Sequence, residues 1–259
     1  MSRIREAFRN KKAFIPFLTA GDPCLEKTAE YILEMEKAGA DLIEIGIPFS
    51  DPIAEGPVIQ EADLRALAAG ATTDRIFDMV QEIRKQVRVP LVFMTYLNPV
   101  FHYGYERFFR RCRECGIDGI IIPDLPFEEQ EELKPTANEN EVEVITLVAP
   151  TSRQRIREIA GEAEGFLYLV SSMGVTGMRN RISTDLEGMI REIREVSEIP
   201  VAVGFGIHTP EQAEQIAGIA DGVIVGSAVV RLIAQDQGNA AKAISAYVQE
   251  MKQAVNRGM

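Results

Sequence analysis

Short runs dense in Val, Ile and Leu recur along this 259-residue chain, and each is followed by a stretch with helical periodicity. The runs are Ala13–Leu18, Asp41–Gly46, Leu91–Thr95, Gly119–Ile122, Glu143–Leu147, Phe166–Val170, Val201–Gly204 and Gly222–Val225. Such density is what strands buried on both faces of a parallel sheet require. Between them the spacing predicts helices over Leu25–Ala38, Thr73–Val87, Tyr105–Cys115, Phe127–Glu139, Arg153–Gly161, Asp185–Val196, Pro210–Ile219 and Asn239–Asn256. Thr209 followed by Pro210 is a helix start in two residues, an N-cap and a first-turn proline. Eight β-runs alternating with helices predict an α/β chain folded as a (β/α)8, or TIM, barrel. A doubly wound open sheet is the runner-up, but it lacks its G-x-G-x-x-G fingerprint after the first run. No Gly/Ser/Pro-rich linker interrupts the pattern, so residues 1–259 read as one domain.

The formal charge of −11 argues against a nucleic-acid partner, whose phosphates an acidic surface repels. Three Cys are few and odd in number, which fits a reducing cytoplasm better than a secreted disulfide scaffold. Met1–Lys12 is charged and carries no apolar signal region. Ile216–Val230 is apolar but broken by Asp221, too short to span a bilayer.

The longest connections follow the second run (Gly46 to Leu91) and the sixth (Val170 to Val201). Loops that follow barrel strands build the working face, so chemistry is expected there. In the second run, alternation places Leu42, Glu44 and Gly46 on one face and Ile43 and Ile45 on the other. With the isoleucines toward the helices, Glu44 points into the barrel, where desolvation raises its pKa and lets it both give and take protons near neutrality. The alternative is a structural Glu paired with a buried Arg or Lys. Gly46 to Gln60 reads as a long loop stiffened by Pro48, Pro52 and Pro57, holding Asp51 and Glu55.

Three glycine sites come late: Gly174 to Gly177 after the sixth run, Gly204 to Gly206 after the seventh, and Gly226-Ser227 after the eighth. The last opens a short apolar helix over Ala228–Ala234. Glycine lets backbone N–H groups approach a ligand, and a helix N-terminus favours an anion. Together they predict a phosphate site built from backbone dipoles, which reconciles an anionic ligand with an acidic chain. Cys112 and Cys115 read as structural thiols, His102 and His208 as polar loop residues, and two such distant His argue against a His-rich metal site.

Pro16 to Pro23 (PFLTAGDP), Glu44 to Pro52 (EIGIPFSDP), Glu55 to Gln60 (EGPVIQ) and Gly174 to Gly177 (GVTG) make the chain resemble the tryptophan synthase alpha subunit family, as do Gly204-Phe-Gly206 and Gly226-Ser227. The resemblance runs from about Phe14 to the last helix. It implies a barrel that cleaves indole-3-glycerol phosphate to indole and glyceraldehyde 3-phosphate by a retro-aldol reaction, with no cofactor in this chain. Glu44 matches the family's catalytic glutamate. Glu55 stands where the family usually has aspartate, which pairs with the indole N–H. Phe17 and Phe205 match residues flanking the indole, Tyr168 and Thr176 residues near the active site, and Gly177, Gly206, Gly226 and Ser227 the phosphate cradle.

The same resemblance implies a beta subunit partner carrying pyridoxal phosphate, in an alpha2-beta2 complex. Ser50–Pro57 and Asn98–His102 are the expected contact surfaces, with Val100 and Phe101 exposed. The glycine-containing segment Ser172–Ser183 reads as a lid over substrate. Two other readings stay open: a regulatory subunit that binds the phosphate ligand without turnover, and a free-standing indole-releasing lyase.

Overall fold

The computed structural model describes residues 2–150, 155–171, 185–236 and 238–259. Its strands are β1 (Ala13–Thr19), β2 (Ile43–Gly46), β3 (Leu91–Met94), β4 (Gly119–Ile121), β5 (Glu143–Ile145), β6 (Leu147–Val148), β7 (Leu167–Val170), β8 (Val201–Gly204) and β9 (Gly222–Val225). All pairings are parallel, in the order β5-β4-β3-β2-β1-β9-β8-β7-β6. There are nine strands where eight runs were expected, because the fifth run breaks at Thr146. Its first half pairs with β4 and its second with β7, and the Tyr168 N–H donates to the Thr146 carbonyl at 3.0 Å. The two ends of the sheet are thus successive halves of one run, and the ring comes together there as a TIM barrel.

Strand alternation sorts the apolar side chains into two cores. Leu42, Val92, Ile121, Ile145, Ala202 and Ile224 fill the barrel, while Ile43, Ile45, Phe93 and Ile120 pack outward against the helices. Each such side chain, fully buried, contributes roughly 1.5–3 kcal/mol. A short helix, Arg3–Glu6, sends Ile4 into the barrel interior, and Phe8 stacks near Phe166 with ring centroids 5.5 Å apart. The segment read only as a charged terminus therefore closes the end of the barrel away from the working loops.

Most predicted helices form close to their expected bounds, among them Leu25–Lys37, Tyr105–Cys115 and Pro210–Ala217. Thr209 caps the last of these in a reciprocal capping box with Gln212. Phe127–Glu139 is not one helix but a 3-10 turn, Phe127–Glu132, and a helix, Lys134–Glu139, because Pro135 cannot continue a helical ladder through its missing N–H. Besides Arg3–Glu6, two further helices were not expected. Pro57–Ala68 starts inside the segment read as loop, with Gly56 as N-cap and Pro57 at the first turn, and Leu97–Tyr103 covers the Asn98–His102 segment.

Candidate active site

Glu44 lies opposite Phe17 in the β1–β2 register, and both side chains enter the barrel. With Ile59, Met94, Tyr168, Phe205, Gly206, Ile224, Gly226 and Ser227 they line a cavity at the C-terminal ends of the strands, with about 440 Å³ of empty space opening to solvent. Glu44 is 1% exposed, and its Oε1 has no hydrogen-bond partner among the described residues. Burial alone pushes its pKa up to about 8. No Arg or Lys among the described residues pairs with it, so none of them supplies the partner that the structural alternative of a buried ion pair requires. An orphaned buried oxygen costs about 1–3 kcal/mol, a cost that native proteins tolerate mainly where a ligand or a reaction uses the group.

The aromatic walls depend on two strand-end glycines. A Cβ on Gly46 would meet the Phe17 ring at 2.6 Å, and one on Gly204 would overlap the Tyr168 phenol. Tyr168 stands near Phe205, with ring centroids 6.0 Å apart at 79°. Burial and the neighbouring Glu44 raise the Tyr168 pKa, so its phenol stays protonated. Phe205 has φ +71, a left-handed conformation that costs a non-glycine residue of order 1–3 kcal/mol. The buried Ser171 hydroxyl donates to the Phe205 carbonyl and holds this turn.

Beside Phe17 in the same cavity, Gly226 caps the helix Ser227–Gln235 without a side-chain hydrogen bond. The expected short apolar helix is thus present and slightly longer, and its first residue, Ser227, lines the cavity together with Gly206. Such a terminus carries about half a positive charge, enough to favour an anion without Lys or Arg. His208 Nδ1 lies 2.9 Å from the Gly206 carbonyl and fixes the same loop. Thr176 and Gly177, with the rest of Ser172–Ser183, lie outside the described residues.

Glu55 is buried, 6% exposed, but is not among the residues lining the cavity. It adjoins Asp63 of the helix Pro57–Ala68 and Tyr96, and burial raises its pKa. Tyr96 accepts the Ala54 N–H at 3.0 Å through its phenol oxygen and so pins the loop that carries Glu55. Asp63 and Tyr96 were missed in the sequence. Asp63 shares the buried face of its helix with Ile59, Ala62 and Ala66, an acidic residue in an apolar stripe, but the signal is visible only once that segment is known to be helical.

Residues 4–256 match the family described as Tryptophan synthase alpha chain. The chain belongs to this family. Among its relatives, the tryptophan synthase alpha chain of Lacticaseibacillus casei is 49% identical over 99% of this chain and 96% of its own length. That of Alkaliphilus metalliredigens is 48% identical over 96% of this chain and 94% of its own. A crystal structure of the alpha chain from Legionella pneumophila superposes with a TM-score of 0.88 at 38% identity, covering 98% of this chain and 97% of that one. A chain of the tryptophan synthase complex from Pyrococcus furiosus gives 0.85 at 35% identity, covering 93% and 98%.

For an alpha chain of this family the remaining features are structural. Cys112 and Cys115 are buried within one helix, and burial pushes the Cys115 thiol up to about 12, so neither is a ready nucleophile. Among the described residues no cluster of His, Cys, Asp and Glu could hold a metal ion, and no helix is long and apolar enough to cross a membrane. One expected contact residue is corrected: Val100 is fully buried, because Leu97–Tyr103 is a helix and turns it toward the core. Phe101, its neighbour, is 64% exposed.

Proposed function

We propose that this chain cleaves indole-3-glycerol phosphate to indole and glyceraldehyde 3-phosphate through Glu44, with Glu55 as the second carboxylate. The observation that carries the reading is Glu44 itself: a buried carboxyl whose Oε1 has no partner among the described residues and whose pKa is raised to about 8, set in one cavity with aromatic side chains and a helix N-terminus. Phe17 and Phe205 flank the indole plane, Tyr168 and Thr176 border it, and Gly177, Gly206, Gly226 and Ser227 hold the phosphate.

The proton balance closes on one group. Protonated Glu44 gives its proton to indole C3, making the indolenine. As a carboxylate it then takes the proton of the adjacent glycerol hydroxyl. The carbon–carbon bond breaks, its electron pair returns to the ring, the oxygen becomes the aldehyde carbonyl, and Glu44 ends protonated as it began. A group with a pKa near neutral serves both directions. Anionic Glu55 accepts the indole N–H as the ring gains positive charge. The step needs no cofactor in this chain, since the protonated ring itself accepts the electron pair.

Pyridoxal phosphate belongs to the beta subunit of tryptophan synthase. Association with that subunit, as alpha2-beta2, is supported by the likeness to a chain of the Pyrococcus furiosus complex and by the exposed apolar Ile53 and Phe101 on the rim that the loops after β2 and β3 build. The chain acts as one domain over 1–259, with its long connections after the second and sixth barrel strands, and its free Cys suit the cytoplasm. A regulatory subunit with a drifted site would lack a proton donor, whereas Glu44 is in place. The test is Glu44→Gln, which is expected to lower indole release at least about 10²-fold; near-parent turnover overturns the assignment.

A further inference from the structure

Glu55 and Asp63 form a buried carboxyl pair beside the active cavity. Glu55 ends the loop after β2, and Asp63 lies on the helix that follows, 5% exposed. Their side chains are hydrogen-bonding neighbours. Thr19 at the end of β1 and the backbone of Phe49 adjoin Asp63 as well. Thr19 and Tyr96 lie two residues beyond Phe17 and Met94, so the pair sits one side-chain layer above the cavity lining, at the mouth. Glu55 Oε2 is buried with no hydrogen-bond partner among the described residues.

Two ionised carboxylates cannot hydrogen-bond to each other, because each offers only acceptors. One proton between them turns the repulsion into a charge-assisted bond. Burial raises the pKa of both carboxyls, that of Asp63 to about 8 with the Glu55 charge adding to the effect, while hydrogen bonds from Asp63 and Tyr96 act on Glu55 in the opposite direction. With the proton on Asp63, Glu55 accepts from both Asp63 and Tyr96, and its Oε2 remains a buried acceptor without a partner among the described residues. Among the described residues no cation offsets the pair: Tyr96 is the one other ionisable neighbour of Glu55 there, Asp124 near it is acidic, Arg65 is bound to Asp22, and Arg231 of the packed helix Ser227–Gln235 is exposed.

We infer that Asp63 is a positioning residue, whose carboxylic acid donates a hydrogen bond that keeps Glu55 an oriented carboxylate for the indole N–H. The longer Glu55 side chain needs such a tether more than a shorter aspartate would. The inference rests on the lyase reading above, and its test separates the two.

The test uses the full-length chain and its Asp63→Asn, Asp63→Ala and Glu55→Gln variants. Asn still donates to Glu55; Ala does not. Asp63→Ala is expected to lower kcat at least about tenfold with KM little changed, while Asp63→Asn stays within about threefold of the parent. Above pH 8 the parent loses one proton from Glu44 and one from the pair, so its activity falls with a limiting slope near two per pH unit. Asp63→Asn leaves only the Glu44 proton, and the slope falls to about one. Infrared difference spectra at pH 7, which need no turnover, should show, beside the Glu44 band, a second protonated-carboxyl band that Asp63→Asn removes. Parent-like kcat in Asp63→Ala, equal losses in the Ala and Asn variants, or absence of the second band each overturn the inference. If Asp63→Ala does not fold, the Asn slope and the second band still decide it. The second band together with fully active Glu55→Gln would instead sink the role of Glu55 in the lyase reading.

Discussion

Phe17 and Glu44 are register partners on adjacent parallel strands, and Gly46, two residues beyond Glu44, leaves the space that the Phe17 ring occupies. One strand end thus supplies both the acid and the room for the wall beside it. A Cβ at Gly46 would lie 2.6 Å from Phe17 Cζ and 2.8 Å from Cε2, closer than atoms can pack, so the ring must move into the cavity. Gly46→Ala is expected to raise KM at least about tenfold, with overpacking costing about 1–3 kcal/mol of stability. Steady-state kinetics and a urea melt read the two effects. An unchanged KM would mean that Phe17 does not flank the substrate.

Glu44 also makes stability depend on pH. Its pKa is near 4.5 when exposed and about 8 in the folded chain, so the native state holds the proton more tightly. The contribution is complete below about 4.5, declines by about 1.4 kcal/mol per pH unit as pH rises, and is fully lost once pH passes about 8. Glu44→Gln cannot lose this proton. The variant should therefore gain stability relative to the parent between pH 5 and pH 9, and urea melts at the two pH values measure the gain. A constant difference across that range would show that the carboxyl is not desolvated in solution.

The legibility of this fold follows from where sequence signals are periodic. β-runs buried on both faces stand out, and the inward placement of Glu44 followed from Ile43 and Ile45 taking the outer face. The break at Thr146 did not show, because Val144, Ile145 and Leu147 read as one continuous run and only the change of partner from β4 to β7 divides it. Three prolines between Gly46 and Gln60 suggested loop throughout, yet Pro57 sits where a helix tolerates proline, at its first turn. Missing that helix hid Asp63, and with it the neighbour that defines the surroundings of Glu55. The place of Gly226 between a strand end and a helix start was legible because glycine and the apolar run after it mark such a junction in the sequence itself.

Arg65 and Asp22 tie this same helix to the loop after β1. The guanidinium binds both carboxylate oxygens at 2.8 Å, and Asp22 is 1% exposed whereas Arg65 is partly open to solvent. Removing the arginine leaves a buried carboxylate uncompensated. Arg65→Ala is expected to cost about 2–3 kcal/mol, somewhat below the 3–5 kcal/mol of a fully buried pair because solvent reaches the arginine side. Arg65→Lys restores the charge without the two-pronged geometry and should recover part of the loss. A denaturation midpoint for Arg65→Ala equal to the parent's would show that the pair contributes nothing net.

The anion end of the site can be tested without chemistry at Glu44. Ser227 opens its helix directly after Gly226, is 9% exposed and lines the cavity, with no basic side chain among the described lining residues. Phosphate affinity there depends on the partial positive charge of the helix terminus and its free N–H groups. An aspartate at this position satisfies those donors from within and repels an incoming phosphate. It also suits a helix N-terminus, so the fold should keep its stability while the ligand loses its place. Ser227→Asp is therefore expected to weaken binding of glyceraldehyde 3-phosphate, read by calorimetry, by at least about tenfold. It should raise KM for the phosphorylated substrate in step, while cleavage of an unphosphorylated analogue, however slow, stays near the parent rate. Equal losses for the two substrates would show that the helix terminus is not where the phosphate rests.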